Sequence, residues 1–132
     1  MQGDGGKAHW APAIRAELVE IAEAGRNGHV GTRLVSETDR YRIWLISLAP
    51  GERLRFHTHL LNYFWVATSA GRARSHNASG SVVEMDYALG DVRHMDFGLN
   101  EEMTHDLENI GNTVLTFTTV EDKRSPNLPL PL

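Results

Sequence analysis

From His29 onward the side chains alternate in character, and turn chemistry interrupts them roughly every 8–12 residues. This punctuation limits the fold more than any other feature of the chain. An apolar pattern cut so often cannot sustain long helices, and short strands fit it. Val30–Val35 reads as a strand, and Glu37–Arg40 as a polar turn. Arg42–Leu48 reads as a strand that stops at Pro50-Gly51, a turn-forming pair. Strands over Arg53–His59 and Tyr63–Thr68 follow. Gly71–Ser75 and Val82–Tyr87 flank Asn77-Ala78-Ser79-Gly80, a hairpin signal. Gly90-Asp91 begins another short strand, and residues 97–103 form a polar loop. His105–Glu108 and Val114–Val120 flank Asn109-Ile110-Gly111-Asn112, which reads as a second hairpin turn. About eight short strands at this spacing predict an all-β sandwich or barrel.

One stretch departs from this pattern. Between Pro12 and Gly25, Ile14, Leu18 and Ile21 fall on one stripe, with Glu17, Glu20 and Glu23 on the other side, which predicts a helix over Ala13–Ala24. Proline suits a first helical turn and glycine the stop. The expected organisation is a loose tail over residues 1–11, one domain over 12–122, and an extended tail over 123–132. In that last segment Pro126, Pro129 and Pro131 cannot donate to a central strand.

Composition excludes several classes of function. The net charge of −4 gives no electrostatic footprint for nucleic acid. No apolar run approaches the ~20 residues of a membrane-spanning helix. Residues 1–6 show no apolar signal core, and a cytoplasmic location is the expectation. Cysteine is absent, so any metal site must use nitrogen and oxygen ligands. Nor does the chain contain a phosphate-cradling glycine loop or a serine-nucleophile motif.

Histidine, by contrast, is abundant, with seven in 132 residues. His57 and His59 stand two apart on an expected strand, so both side chains face the same way. A divalent metal gives two such imidazoles a shared task, and a chance pair on a solvent face is the plainer alternative. Gly51 precedes His57, and Gly71 follows His59. Further on come Gly90, Gly98, His105 and Asn109. In this order and spacing, over roughly residues 40–121, the chain resembles the cupin superfamily and its small bacterial single-domain members. The first cupin motif, Gly-x5-His-x-His-x3/4-Glu-x6-Gly, finds Gly51, His57, His59 and Gly71 here. The second, Gly-x5-Pro-x-Gly-x2-His-x3-Asn, finds Gly90, Gly98, His105 and Asn109.

The resemblance implies an all-β jelly-roll barrel with one short N-terminal helix, and one metal held by His57, His59 and His105. Two departures stand out. The motif glutamate is missing, since Tyr63 and Phe64 occupy its two possible places. Asp96 replaces the motif proline, and the stretch from Gly98 to His105 is longer by four residues than the motif. Tyr63 shares strand parity with the histidines and is a candidate ligand or catalytic group. Glu101 or Glu102, in the added loop, are candidates to replace the lost carboxylate. His94, four residues after Gly90, is a candidate substrate contact. His9, His29 and His76 read as solvated, and Arg72 and Arg74 as a solvent face. Trp44, Ile46, Phe56, Phe64, Trp65, Phe97 and Phe117 read as core or pocket wall.

These residues imply a metal-dependent enzyme of dioxygenase, isomerase or lyase type on a small organic substrate; the alternative is a non-catalytic binding or sensing barrel. The expected metal is Fe(II) in the cell, with Zn or Ni in purified protein. The expected assembly is a homodimer, with the helix and the Leu/Pro tail packed on a second copy. Light scattering at micromolar concentration should therefore give twice the 14.7 kDa chain mass. A monomeric mass would exclude the dimer.

Overall fold

A computed structural model describes residues 19–132. Residues 19–24 are helical; the expected start of that helix, the loose tail over 1–11 and His9 lie outside the described residues. Nine strands follow: β1 (Arg33–Glu37), β2 (Tyr41–Leu48), β3 (Arg53–His59), β4 (Asn62–Ala67), β5 (Gly71–His76), β6 (Val82–Tyr87), β7 (Val92–Met95), β8 (Met103–Asn109) and β9 (Leu115–Asp122). They form two antiparallel sheets, ordered β1-β2-β9-β4-β7 and β3-β8-β5-β6. This is the jelly-roll arrangement expected from the sequence. Among the described residues no helix is long and apolar enough to cross a membrane.

Strand alternation builds the interior. On β2 the residues Arg42, Trp44, Ile46 and Leu48 are buried, and on β9 Leu115, Phe117, Thr119 and Glu121 face the same interior. The apolar core gathers at one end of the barrel, around Ile46, Leu48, Ala67, Leu107, Leu115 and Phe117. The polar inward residues lie at the other end, where the functional site is found. β9 sits in the middle of its sheet and pairs with β2 on one side and β4 on the other.

Asn77–Gly80 closes the β5–β6 hairpin as expected, with Gly80 at φ 105. Asn109–Asn112, however, is not a hairpin turn. β8 and β9 belong to different sheets, so this segment carries the chain across the barrel. The Asn109 side chain defines the corner: Nδ2 donates to the carbonyls of Leu48 and Thr113, and Oδ1 accepts from Gly111 N–H, all at 2.8–2.9 Å. Its backbone carbonyl also accepts from Gly51, and its N–H donates to Glu52. Thus one asparagine ties the β2–β3 turn to the β8–β9 corner. Gly51 and Gly90, the first glycines of the two motifs, have φ of 83 and 90, where a side chain would be strained.

Residues 123–132 carry no strand and run back along the barrel. Asn127 Nδ2 donates to the carbonyls of Leu60, Gly98 and Glu101, and the Leu130 carbonyl accepts from Arg42. The buried Asn109 hydrogen bonds should contribute measurably to stability. Asn109→Ala strands two carbonyls and one N–H, and it should lower unfolding free energy in urea by about 2–4 kcal/mol. A loss below ~0.5 kcal/mol would show that water replaces these bonds without penalty.

Candidate metal centre

His57, His59 and His105 meet inside the barrel. β3 and β8 pair so that His57 lies directly opposite His105, and His59 follows two residues further along β3. The ring centroids are 4.8, 5.0 and 5.1 Å apart, each pair edge to face. One ligand atom from each ring lies within 4.8 Å of the others. His57 and His59 are only 2% and 3% exposed.

A register shift between Leu54 and His57 sets this orientation. The extra residue on β3 is a bulge, which turns the strand so that Leu54, His57 and His59 all face the cavity. Phe56 and Thr58 consequently face the other way. Thr58 Oγ1 donates to the Ala24 carbonyl at 2.7 Å, and Phe56 N–H donates to Glu20 at 2.6 Å. The helical residues 19–24 are therefore seated on the outer face of β3.

Behind the histidines runs a charged brace. Arg53 donates to Glu20 at 2.7 and 3.0 Å and to Asp106 at 2.7 Å. Asp106, fully buried beside His105, also accepts from the backbone N–H and ring of His76. Burial raises the Glu20 pKa, but its bonds to Arg53 and Phe56 outweigh that, and the carboxyl stays below its ordinary range. Asp106 is fully buried, so leaving it without Arg53 costs more than losing a solvent-exposed pair. An exposed ladder such as Arg72–Asp86 and Arg72–Glu84 is screened by solvent and contributes little. The brace, not the surface pairs, fixes the two ligand strands. His76 belongs to it, which corrects its reading as solvated.

The protonation states suit a metal. Burial holds His57 down to about 4 and His105 down to about 3, and it holds His59 well below its ordinary value, with the neighbouring histidines adding to the effect for His59 and His105. All three rings are neutral at pH 7. His57 Nδ1 lies 2.7 Å from the Arg55 carbonyl, which can only accept. Nδ1 therefore carries the proton, and Nε2 carries a free lone pair. Ser75 donates its hydroxyl proton to the Asp106 carbonyl, so it offers His105 Nδ1, 3.4 Å away, a lone pair. His59 Nδ1 is buried without a hydrogen-bond partner. Three neutral imidazoles with an unsatisfied nitrogen among them fit a borderline transition metal.

The other expected site residues fare differently. Tyr63 is in the site: its ring stacks on His59, with centroids 4.1 Å apart at 16°, and Phe97 continues the stack. Burial raises its phenol pKa well above the ordinary value, so it stays protonated. Glu101 and Glu102 do not replace the missing acid. Both are exposed, and Glu101 turns back to accept from Gly98 N–H within its own loop. His94 is not a cavity residue. It pairs with Phe64 on the outer face, whereas its neighbours Arg93 and Met95 pair with Trp65 and Tyr63 and face inward. The sequence Val92-Arg93-His94-Met95 lacks the alternation that would reveal its inner face. His29 is exposed, edge-on to Trp44 at 5.6 Å.

The cavity measures about 220 Å³. One wall is an aromatic cluster of Trp65, Tyr87 and Phe117, with centroids 4.9–5.4 Å apart. It reaches solvent along the edge strands β6 and β7, where the lining residues Val83, Met85 and Arg93 are exposed.

No family model and no curated protein matches the chain. Solved structures do. A cupin domain from Bordetella pertussis Tohama I superposes with a TM-score of 0.61 at 20% identity, over 69% of this chain and 90% of that one. An RmlC-like cupin family protein with a double-stranded β-helix fold from Methanocaldococcus jannaschii gives 0.55 at 18% identity, over 68% and 76%. The chain has the cupin fold. A conserved protein with a double-stranded β-helix domain from Klebsiella pneumoniae gives 0.54 at 24% identity, over 67% and 72%. In this cupin-fold chain the three histidines sit within the barrel, and no carboxylate joins them among the described residues.

One acid is nevertheless buried nearby in the fold. Glu121 is 3% exposed and accepts from Trp44 Nε1 at 2.8 Å. Burial pushes its pKa up to about 7, only partly offset by Trp44 and Arg42. The folded state then holds a proton that the unfolded state, near 4.5, has released. This contribution to stability is full below pH 4.5 and is lost as pH rises through about 7. Glu121→Gln should flatten that falling limb in urea titrations from pH 4.5 to 7. An unchanged slope would show that Glu121 ionises normally.

Proposed function

We propose that this cupin binds one divalent transition metal through His57, His59 and His105 and acts as a metal-dependent enzyme on a small organic molecule in the barrel. The observation that carries this reading is the convergence of three buried, neutral imidazoles whose ligand atoms lie within 4.8 Å of one another. A metal held there by His57, His59 and His105 would supply Lewis acidity or oxygen activation.

The chain's own residues do the rest. The Arg55 carbonyl and Ser75 orient the His57 and His105 rings. The stack of Tyr63 on His59 fixes the third ring and closes one side of the site. The protonated Tyr63 phenol is a proton donor suited to hold a substrate oxygen. Apolar walls from Trp65, Phe117 and Leu107 keep water from the body of the ligand.

His59→Ala should lose bound metal in elemental analysis while circular dichroism keeps the β-sheet signal. Full metal content in that variant would overturn the assignment. The lowered imidazole pKa values add a second expectation. Only protonated imidazole lacks the ligand lone pair, so metal should be retained from pH 8 down to about 5, and lost as pH falls through about 4. Release near pH 6.5 would mean solvent-exposed ligands.

A further inference from the structure

Among the described residues, Arg93 is the one charged residue lining the cavity. It has no carboxylate partner among the described residues, whereas Arg40, Arg42, Arg53, Arg55, Arg72 and Arg74 each pair with an acid. The register of β4 and β7 places it. Arg93 lies opposite Trp65, and Met95 lies opposite Tyr63, whose ring covers His59. Along that face Arg93 stands two residues from the row that touches the histidines, about 7 Å at ~3.3 Å per residue. Its positive charge acts on the phenols of Tyr63 and Tyr87, in each case against the larger effect of burial. The guanidinium therefore belongs to the cavity mouth, on the side of its register partner Trp65.

From this geometry we infer that the ligand is a small monocarboxylic acid with an apolar or aromatic body, its carboxylate held by Arg93 and its far end directed at the three histidines. Charge supports the class. The lining holds no acid, so Arg93 and a bound divalent metal would leave the cavity strongly positive, and an anionic ligand compensates. A single guanidinium matches one carboxylate in a forked pair. A phosphate dianion calls for more cationic donors than the single guanidinium of Arg93. The volume of about 220 Å³ lies below the ~300–1,000 Å³ of drug-sized sites, which limits the body to about one ring or a short chain. The inference rests on the proposed metal centre for the direction of the ligand's far end and for part of the cavity's positive charge; the charge of Arg93 stands without it.

Calorimetric titration of the purified protein with benzoate and hexanoate, against benzamide and hexanamide, tests it. At least one acid should bind at least tenfold more tightly than its amide. Arg93→Gln should weaken that acid at least tenfold and leave the amide and the metal content unchanged. Arg93→Lys should recover part of the loss, and His94→Gln, on the outer face, should bind as the parent does. The inference fails if neither acid outbinds its amide, if Arg93→Gln binds the acid as the parent does, or if phenyl phosphate binds more tightly than benzoate. Elemental analysis of the same preparations separates the two readings. Acid selectivity without metal overturns the metal centre alone, and metal without acid selectivity overturns the ligand class alone.

Discussion

The pairing of β3 with β8 is the constraint on which the site depends. Antiparallel strands set opposed residues side by side, and here the opposed pair is His57 and His105. A shift of one residue in β8 would turn His105 out of the cavity, and the same shift in β3 would turn out both His57 and His59. The β3 bulge makes the register compatible with the apolar pattern on both sides of it. It lets Leu54 serve the wall and His57 the histidine cluster, although their separation is odd. The brace of Glu20, Arg53 and Asp106 then locks the two strands from behind. The same helical residues that cover Phe56 and Thr58 thereby help aim the histidines, which links a peripheral element to the chemistry of the interior.

Burial does two things at once in this barrel. It removes water from the imidazoles, which keeps them neutral and ready to donate lone pairs. It also leaves His59 Nδ1 without a partner, a cost accepted at a functional site more readily than in a core. The missing acid of the family motif fits this picture. With Tyr63 at that place, the centre gains a stacked aromatic wall and forgoes a negative charge. Electrostatic balance is left to whatever enters past Arg93.

Much of this was legible in the chain itself. Turn spacing showed the strands, and the interval between His57 and His59 showed that they share a face. The motif order brought His105 to them from 46 residues away. What could not be read was sheet membership. Asn109-Ile110-Gly111-Asn112 has the composition of a hairpin turn, yet it crosses between sheets, because local turn preference does not encode which strands pair. The inner face of β7 was hidden for a related reason. It is an exposed edge strand with little apolar alternation, so parity had to come from its pairing with β4, and with it the exchange of His94 for Arg93. Glu101 was misread because sequence proximity to His105 says nothing about where a loop side chain turns.

The position of β9 bears on how the molecule is made. β2 and β4 share no hydrogen bonds with each other; each is joined to the sheet through β9. As a nascent chain leaves the ribosome, the three histidines are all synthesised before that central strand is. The five-stranded sheet meanwhile has a gap at its middle, with two long unpaired edges facing it. Such edges invite pairing with other chains. Barrel closure is therefore a late, long-range event, and the newly made protein is most vulnerable to aggregation in the interval before its ninth strand inserts.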